Sequence, residues 1–384
     1  MTKEKSTPAN EVRAVLQRNS PSRIVYAPNY WQWFTHHQNH GLLPEEIAHC
    51  TSQWEMIRHL GLDGFSRNVY CDPAACWFGG LSGPVWDGVE VEVRRRTEGR
   101  DTVTEKVYHT KAGELTERLR FVFDESTLVQ EKYLLDDYAS QMDAFEEVVR
   151  ARTWCFDRKK FSDVRDTMGD GGIVNAGELF SPLKLLHLAA GAADAVFLME
   201  DFPERCKELM REHEEAQLQL VGQMLEGGVE SMIAMDNLDS MFHSPRAIGD
   251  CSAGYYERVS GKCHEAGATF FIHACGRQKA ILPLIASLGV DGLEGVAFSP
   301  LGDVELDEAM RLTGDRFIMT GGISAMETER FQSREEVSRY VGSLLGRMLP
   351  YGNRFMLSAS CNTSIRTPWP VIVWFRDAWR EFGS

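Results

Sequence analysis

The chain has 384 residues, 43% of them apolar, enough to bury a large core without disulfide or metal staples. Its 41 Lys and Arg against 56 Asp and Glu leave a formal net charge of −15, which argues against a nucleic-acid binder and against docking on anionic lipid, since both draw affinity from basic residues. No apolar run approaches the ~20 residues of a membrane helix, the opening MTKEKSTPANEV lacks the apolar core of a secretion signal, and the nine cysteines are odd in number; a reducing, cytoplasmic setting without disulfides is expected.

In chain order, short apolar runs alternate with helical patterns. RIVYAP (23–28) reads as a first strand, PEEIAHCTSQWEMIRHLG (44–61) as a helix and DGFSRN (63–68) as a second strand. Residues 88–134 then break the alternation with a period of two and turn signals at Glu98-Gly99 and Lys111-Ala112-Gly113. They read as a β-hairpin insertion between the second and third strands, charged on one face and therefore at the surface. Such an insertion either shapes substrate access or is a solvated flap. Further strands are expected at GGIVNAG (171–177), ESMIAMD (230–236), ATFFIHAC (268–275), DGLEGV (291–296), RFIMTGG (316–322) and RFMLSAS (354–360), with helices at 203–228 and 334–349. Pro203 suits a first helical turn, and Gly227-Gly228 suits a helix end.

Eight strands separated by helices imply βαβ units and a parallel sheet. With eight strands and no GxGxxG after the first, a single-domain (β/α)8 barrel (TIM barrel) over 1–384 is the expected architecture, with 88–134 as an insertion within it.

His273 and Cys275, in FFIHACG, are two apart on a strand and so point to one face at its C-terminal end, where a barrel gathers its catalytic groups. A further soft ligand is available from Cys361 in LSASCNTS, at the end of the last strand. One imidazole and two thiolates form a zinc ligand set with an open fourth position, the mark of a catalytic rather than a structural metal. The alternative is two buried small cysteines and a satisfied core histidine. Such an electron-rich site suits activation of a thiol, or polarisation of an ether or alcohol oxygen, and both chemistries suit methyl transfer. Peptide hydrolysis would normally show an HExxH helix, which is absent.

NEVRAVLQRNSPSRIVYAP, GELFSPLKLLHLAAGAADAVFLMEDFPERCKELM, GGVESMIAMDNLDSMFHSPRAI and the HxC followed by a distant Cys resemble the uroporphyrinogen decarboxylase superfamily, and within it the zinc-dependent corrinoid methyltransferases such as the methylcobalamin:coenzyme M enzymes. The resemblance covers most of the chain from about residue 10. It implies a (β/α)8 barrel with zinc on His273, Cys275 and Cys361, and transfer of a methyl group between a small O- or S-methylated compound, or a thiol acceptor, and a corrinoid protein. The chain has no DxHxxG cobalamin signature, so cobalamin is expected to arrive on a separate partner.

Two departures from the family narrow the reading. Uroporphyrinogen decarboxylases clamp substrate carboxylates with an N-terminal arginine, whereas the equivalent stretch here, APNYWQWFTHHQNH, has none. The long insertion is foreign to the compact coenzyme M enzymes and points to another donor or acceptor. Demethylation of a methoxylated or otherwise methylated small molecule is expected. The competing readings are a metal-free decarboxylase and a non-catalytic barrel that binds a tetrapyrrole or corrinoid.

Other candidate site residues cluster near strand ends. Tyr30, Trp31 and Trp33 offer either a stacking wall for substrate or helix packing. Asp236 and Glu178 are candidate acid/base or substrate-binding groups, with helix capping as the alternative. Glu294 is a candidate for the open zinc position, and Gly321-Gly322 for either a phosphate-cradling turn or a plain one.

Overall fold

The computed structural model describes residues 6–65, 67 and 80–384. Thirteen strands are assigned among them: β1 (Val25–Tyr26), β2 (Ser82–Trp86), β3 (Glu90–Glu98), β4 (Asp101–Thr110), β5 (Gly113–Val122), β6 (Thr127–Lys132), β7 (Arg152–Phe156), β8 (Asn175–Leu179), β9 (Ser231–Leu238), β10 (Thr269–Ala274), β11 (Gly292–Val296), β12 (Ile318–Ile323) and β13 (Phe355–Ala359). Seven of them form one sheet in the order β1-β13-β12-β11-β10-β9-β8. All its pairings are parallel, and a helix follows most strands, as βαβ units require.

The segment expected as the second strand lies between the two ends of this sheet. Asp63 N–H donates to the Tyr26 carbonyl and Gly64 N–H to that of Gly171, while the Gly64 carbonyl accepts from Ile173. An isolated parallel bridge joins Gly64 to Gly172. Close approach sets the residue types here, since a Cβ on Gly172 would stand 2.1 Å from the Gly64 carbonyl oxygen. Residues 66 and 68 of the expected strand lie outside the described residues.

Strand periodicity sorts the side chains into two layers. Val25, Ile233, Phe271, Ile318 and Met356 point to one face and pack with Phe65 against Val12, Val15 and Leu16 of the N-terminal helix Pro8–Leu16. Their neighbours Met232, Phe270, Leu293, Met319, Phe355 and Leu357 point the other way, into the surrounding helices. A residue in step with Phe271 therefore faces the interior of the sheet, and one in step with Phe270 faces the helix layer.

The insertion is larger than a hairpin. Residues 90–132 form a four-stranded antiparallel sheet in the order β3-β4-β5-β6. The third turn, after Val122, carries no glycine, and Ser126 takes a φ of +47° instead. One face of this sheet packs Tyr108 and Leu115 on Phe145 and Val148 of the helix Tyr138–Ala151. The other is laced with cross-strand ion pairs such as Arg118–Glu105 and Arg120–Glu98. A separate antiparallel pair, β2 with β7, flanks it. No single described helix is long and apolar enough to cross a membrane.

Candidate metal centre

His273 is the fifth residue of β10, in step with Phe271, so its ring faces inward at the strand's C-terminal end. Cys275 follows just beyond the strand, its N–H bonded to the Leu238 carbonyl of β9. Cys361 lies two residues past β13, where Asn29 fixes the loop: the Asn29 amide donates to the Cys361 carbonyl at 3.3 Å, and its own carbonyl accepts from Thr363. The three candidate ligand atoms lie within 4.8 Å of one another, with His273 Nε2 3.8 Å from Cys361 Sγ. Atoms bound at zinc distances around one tetrahedral centre stand roughly 3.5–3.8 Å apart, so this donor set fits such an ion with little movement. His273 is buried, and both cysteines are half-buried.

Behind the histidine stands Glu294 of β11. Its Oε2 lies 2.5 Å from His273 Nδ1, and its backbone carbonyl 3.1 Å from the same nitrogen. With both neighbours acceptors, Nδ1 carries the proton, and the Nε2 lone pair is left toward the sulfurs, as in a carboxylate–histidine–metal array. Glu294 is held in turn by Arg67, whose Nη1 reaches both carboxylate oxygens at 2.5 and 2.6 Å. The same guanidinium reaches Cys361 Sγ at 3.5 Å. Glu294 therefore supports the imidazole from behind and does not stand at the open ligand position suggested by the sequence.

The electrostatics follow from this packing. Cys361 is drawn well below the usual thiol range, chiefly by the Cys275 S–H, with Arg67 and His273 adding to the effect against burial. Cys275 is pushed well above it by sharing that proton and by burial. The two sulfurs thus titrate together as one pair. Burial and Arg67 lower the His273 pKa, and Glu294 and Cys361 more than offset them, so it ends raised.

A short backbone approach forms the floor of the site. Gly295 has φ +102°, and a Cβ there would lie 2.3 Å from the Ala274 carbonyl oxygen and 3.0 Å from His273 Cε1. Gly295→Ala is expected to lower stability by about 1–3 kcal/mol in urea unfolding, and to weaken metal retention because it pushes on the imidazole. A wild-type unfolding curve would show that the approach is not tight. A Cβ on Gly321 would likewise lie 2.6 Å from the Val296 carbonyl oxygen of β11, and both glycines lie inside β12 rather than in either kind of turn the sequence offered.

The other expected site residues fall elsewhere. Glu178 is buried, with Oε1 accepting from Leu81 N–H and Oε2 from Ser82 N–H and hydroxyl; it ties β2 to the end of β8. Asp236 lies in step with Ala234 of the helix-facing layer and accepts from Ser181 N–H and the Tyr256 hydroxyl. The chain's own donors take up both carboxylates. Tyr30 is buried against Tyr26, hydroxyl to hydroxyl at 3.2 Å. Trp33 is fully buried, donates to the Thr367 carbonyl and stacks on His37 and Trp369. Trp31 lines a lateral cavity of about 310 Å3 with Phe34, Trp54 and Met168, and none of the three candidate ligands borders it. The aromatic segment thus packs helices and does not wall the sulfur pair.

The sequence reading overlooked Arg67, Asn29 and Lys184. Arg67 falls near the end of DGFSRN (63–68), the segment the sequence reads as the second strand, so the strand-end reasoning that found His273 applies to it equally. Lys184 sits in the first turn of the helix Pro182–Ala190, whose N-cap is Ser181. It is buried; burial lowers its pKa, and the nearby Asp236 and Cys275 oppose the drop.

The model of the uroporphyrinogen decarboxylase (URO-D) family matches residues 164–382, which carry β8 to β13 and all three candidate ligands. The chain belongs to the uroporphyrinogen decarboxylase family. A methyltransferase from Methanosarcina mazei has a similar structure, with a TM-score of 0.58 at 12% identity, covering 98% of this chain and 99% of that one. At that identity the likeness is one of fold. No curated protein sequence matches the chain.

Proposed function

We propose that this chain is a zinc-dependent methyltransferase, built on a closed (β/α)8 barrel, that moves a methyl group between a small O- or S-methylated compound or thiol and a corrinoid carried by a partner protein. The convergence of His273, Cys275 and Cys361 on one point, with His273 Nδ1 engaged from behind by Glu294, carries this reading. The bonds of Asp63 and Gly64 to both ends of the sheet support ring closure. The methyltransferase neighbour supports the choice of reaction within the family.

Zinc in such a set would accept a substrate oxygen or sulfur at its fourth position and draw electron density from it, easing departure of the methyl group. Cys361, already favoured as thiolate, and the Nε2 lone pair of His273 are prepared for a cation. Arg67 offsets the negative charge that two thiolates and Glu294 concentrate in a buried space. Met241 and Phe242 after β9, Leu301 after β11 and Met326 in the short helix after β12 expose apolar side chains at the sulfur end of the sheet, an apolar rim suited to a docking corrinoid protein.

In the demethylating direction, R–O–CH3, a proton and cob(I)alamin become R–OH and methylcob(III)alamin, so the methyl leaves oxygen without its bonding pair and cobalt supplies two electrons. The test is incubation of the zinc-loaded chain with free cob(I)alamin and a panel of methoxyarenes and thioethers, with methylcobalamin followed by its absorbance. Methylation that is lost in Cys361→Ser supports the reading. No methyl transfer in either direction with any of these, or with methylcobalamin and thiols, overturns it.

A further inference from the structure

A second cavity lies well apart from the sulfur pair. It measures about 450 Å3 and sits between the inserted sheet, the β2–β7 pair and the helices Tyr138–Ala151 and Pro182–Ala190. Its walls are apolar and aromatic, with Trp86, Phe145, Val148, Phe180 and Leu185 among them. The helix Pro182–Ala190 stands between the two sites. Leu185, Leu188 and Ala189 line this cavity, while Lys184 and His187 interact with Asp236 and His243 on the other side.

The polar groups of the cavity are few and unbalanced. Among the described residues its charged lining groups are Lys106, Glu117 and Arg152. Glu117 is already satisfied by Lys106 Nζ and the Tyr108 hydroxyl, each at 2.8 Å. Among the described residues Arg152 forms no ion pair, Glu117 acting on it only through space, and its Nη2 is buried without a hydrogen-bond acceptor. The rings of Trp154 and Phe180 lie 5.4 and 5.7 Å from the guanidinium carbon, but a ring face does not accept the in-plane N–H as an oxygen does. Trp154 Nε1, on the same wall, is also buried without an acceptor among the described residues. Beside Arg152, His213 stays uncharged: burial, with Arg152 adding to it, lowers its pKa to about 3. The cavity therefore holds one surplus positive charge and unused N–H donors inside an apolar shell.

We propose that this cavity is a second binding site, for an amphiphilic organic monoanion whose carboxylate accepts from Arg152 and whose ring or chain fills the apolar space. A carboxylate cancels the single surplus charge and supplies oxygens to the orphaned donors. A polyanion such as a nucleotide would bring excess charge into apolar walls, and a neutral molecule would leave Arg152 uncompensated. Ser82 borders the cavity and also holds Glu178 of β8, so an occupant lies one hydrogen bond from the main sheet.

The test uses 4-phenylbutyrate and its uncharged counterpart 4-phenylbutan-1-ol, titrated into the full chain with calorimetry and tryptophan fluorescence. The acid is expected to saturate and to bind at least about tenfold tighter than the alcohol. Arg152→Gln should abolish that preference, and Leu188→Trp, which fills the cavity but keeps the guanidinium, should weaken the acid at least about tenfold. Cys361→Ser should leave both affinities unchanged. Equal affinities for acid and alcohol in the wild-type chain, no saturation by the acid, or loss of acid binding in Cys361→Ser would overturn the proposal, and the first two outcomes need no variant to fold.

Discussion

Purified from cells in zinc-replete medium, the protein should carry about one zinc per chain, and Cys361→Ser should carry less than a tenth of that after dialysis against a mild chelator. The expectation rests on how the site is assembled. His273 and Cys275 come from one strand end, and their backbone is fixed by the β9 and β11 neighbours. Cys361 comes from a loop pinned by Asn29. Removing its sulfur leaves two ligands on one strand and an open half-sphere, and zinc bound by two side chains exchanges readily with chelator. Glu294→Gln should act more gently. The Nδ1 partner becomes a neutral amide, and the affinity drops by about 10–100-fold, the usual effect of losing a partner behind a metal-bound histidine. Elemental analysis with competition by a chromophoric chelator measures both. An unchanged zinc content in His273→Ala, Cys275→Ser and Cys361→Ser alike would refute the ligand assignment.

Arg67→Met should be the most destabilising single change near the site. Arg67 and Glu294 are 4% and 1% exposed, so removing the guanidinium strands a carboxylate in a dry interior. Breaking a buried pair from one side costs about 3–5 kcal/mol. The double variant Arg67→Met/Glu294→Leu removes both charges and should recover most of the loss, since the attraction between buried charges barely exceeds their desolvation cost. Urea unfolding of the four members of this cycle gives the coupling directly. If the double variant is as unstable as Arg67→Met alone, the ion pair is not what Arg67 contributes, and its 3.5 Å approach to Cys361 becomes the better explanation of its position.

The parallel strands could be read before any coordinates, because a buried strand is a short apolar run ending in Gly or a polar cluster, and ESMIAMD or ATFFIHAC carries that pattern within its own few residues. The inserted sheet was only half legible. Two of its turns are marked by glycine, but the third is closed by Ser126 in a left-handed conformation that no turn residue advertises, and so four strands read as a hairpin. Tyr30, Trp31 and Trp33 stayed ambiguous in the sequence for a different reason. An aromatic residue after a strand is equally well buried against the next helix, and only the packing of Trp33 on Trp369, far away in the sequence, decides it. Asp236 and Glu178 look like acid/base groups by position, yet Asp236 accepts from Ser181 N–H and the Tyr256 hydroxyl, and Glu178 from Leu81 and Ser82 at the start of β2.

Alternation is a local property, and it led the sequence to expect His273 and Cys275 on one face. That an apolar run should end in a histidine and a thiol was likewise settled by the order of amino acids. The meeting with Cys361, 88 residues from His273, was not, and neither was the reach of Arg67 across 227 residues to Glu294. Contacts of that kind depend on which strands lie side by side once the sheet has folded, and the free energy that selects the arrangement is spread over the whole core. The linear order therefore names the donors, and the packed chain determines which of them can share one ion.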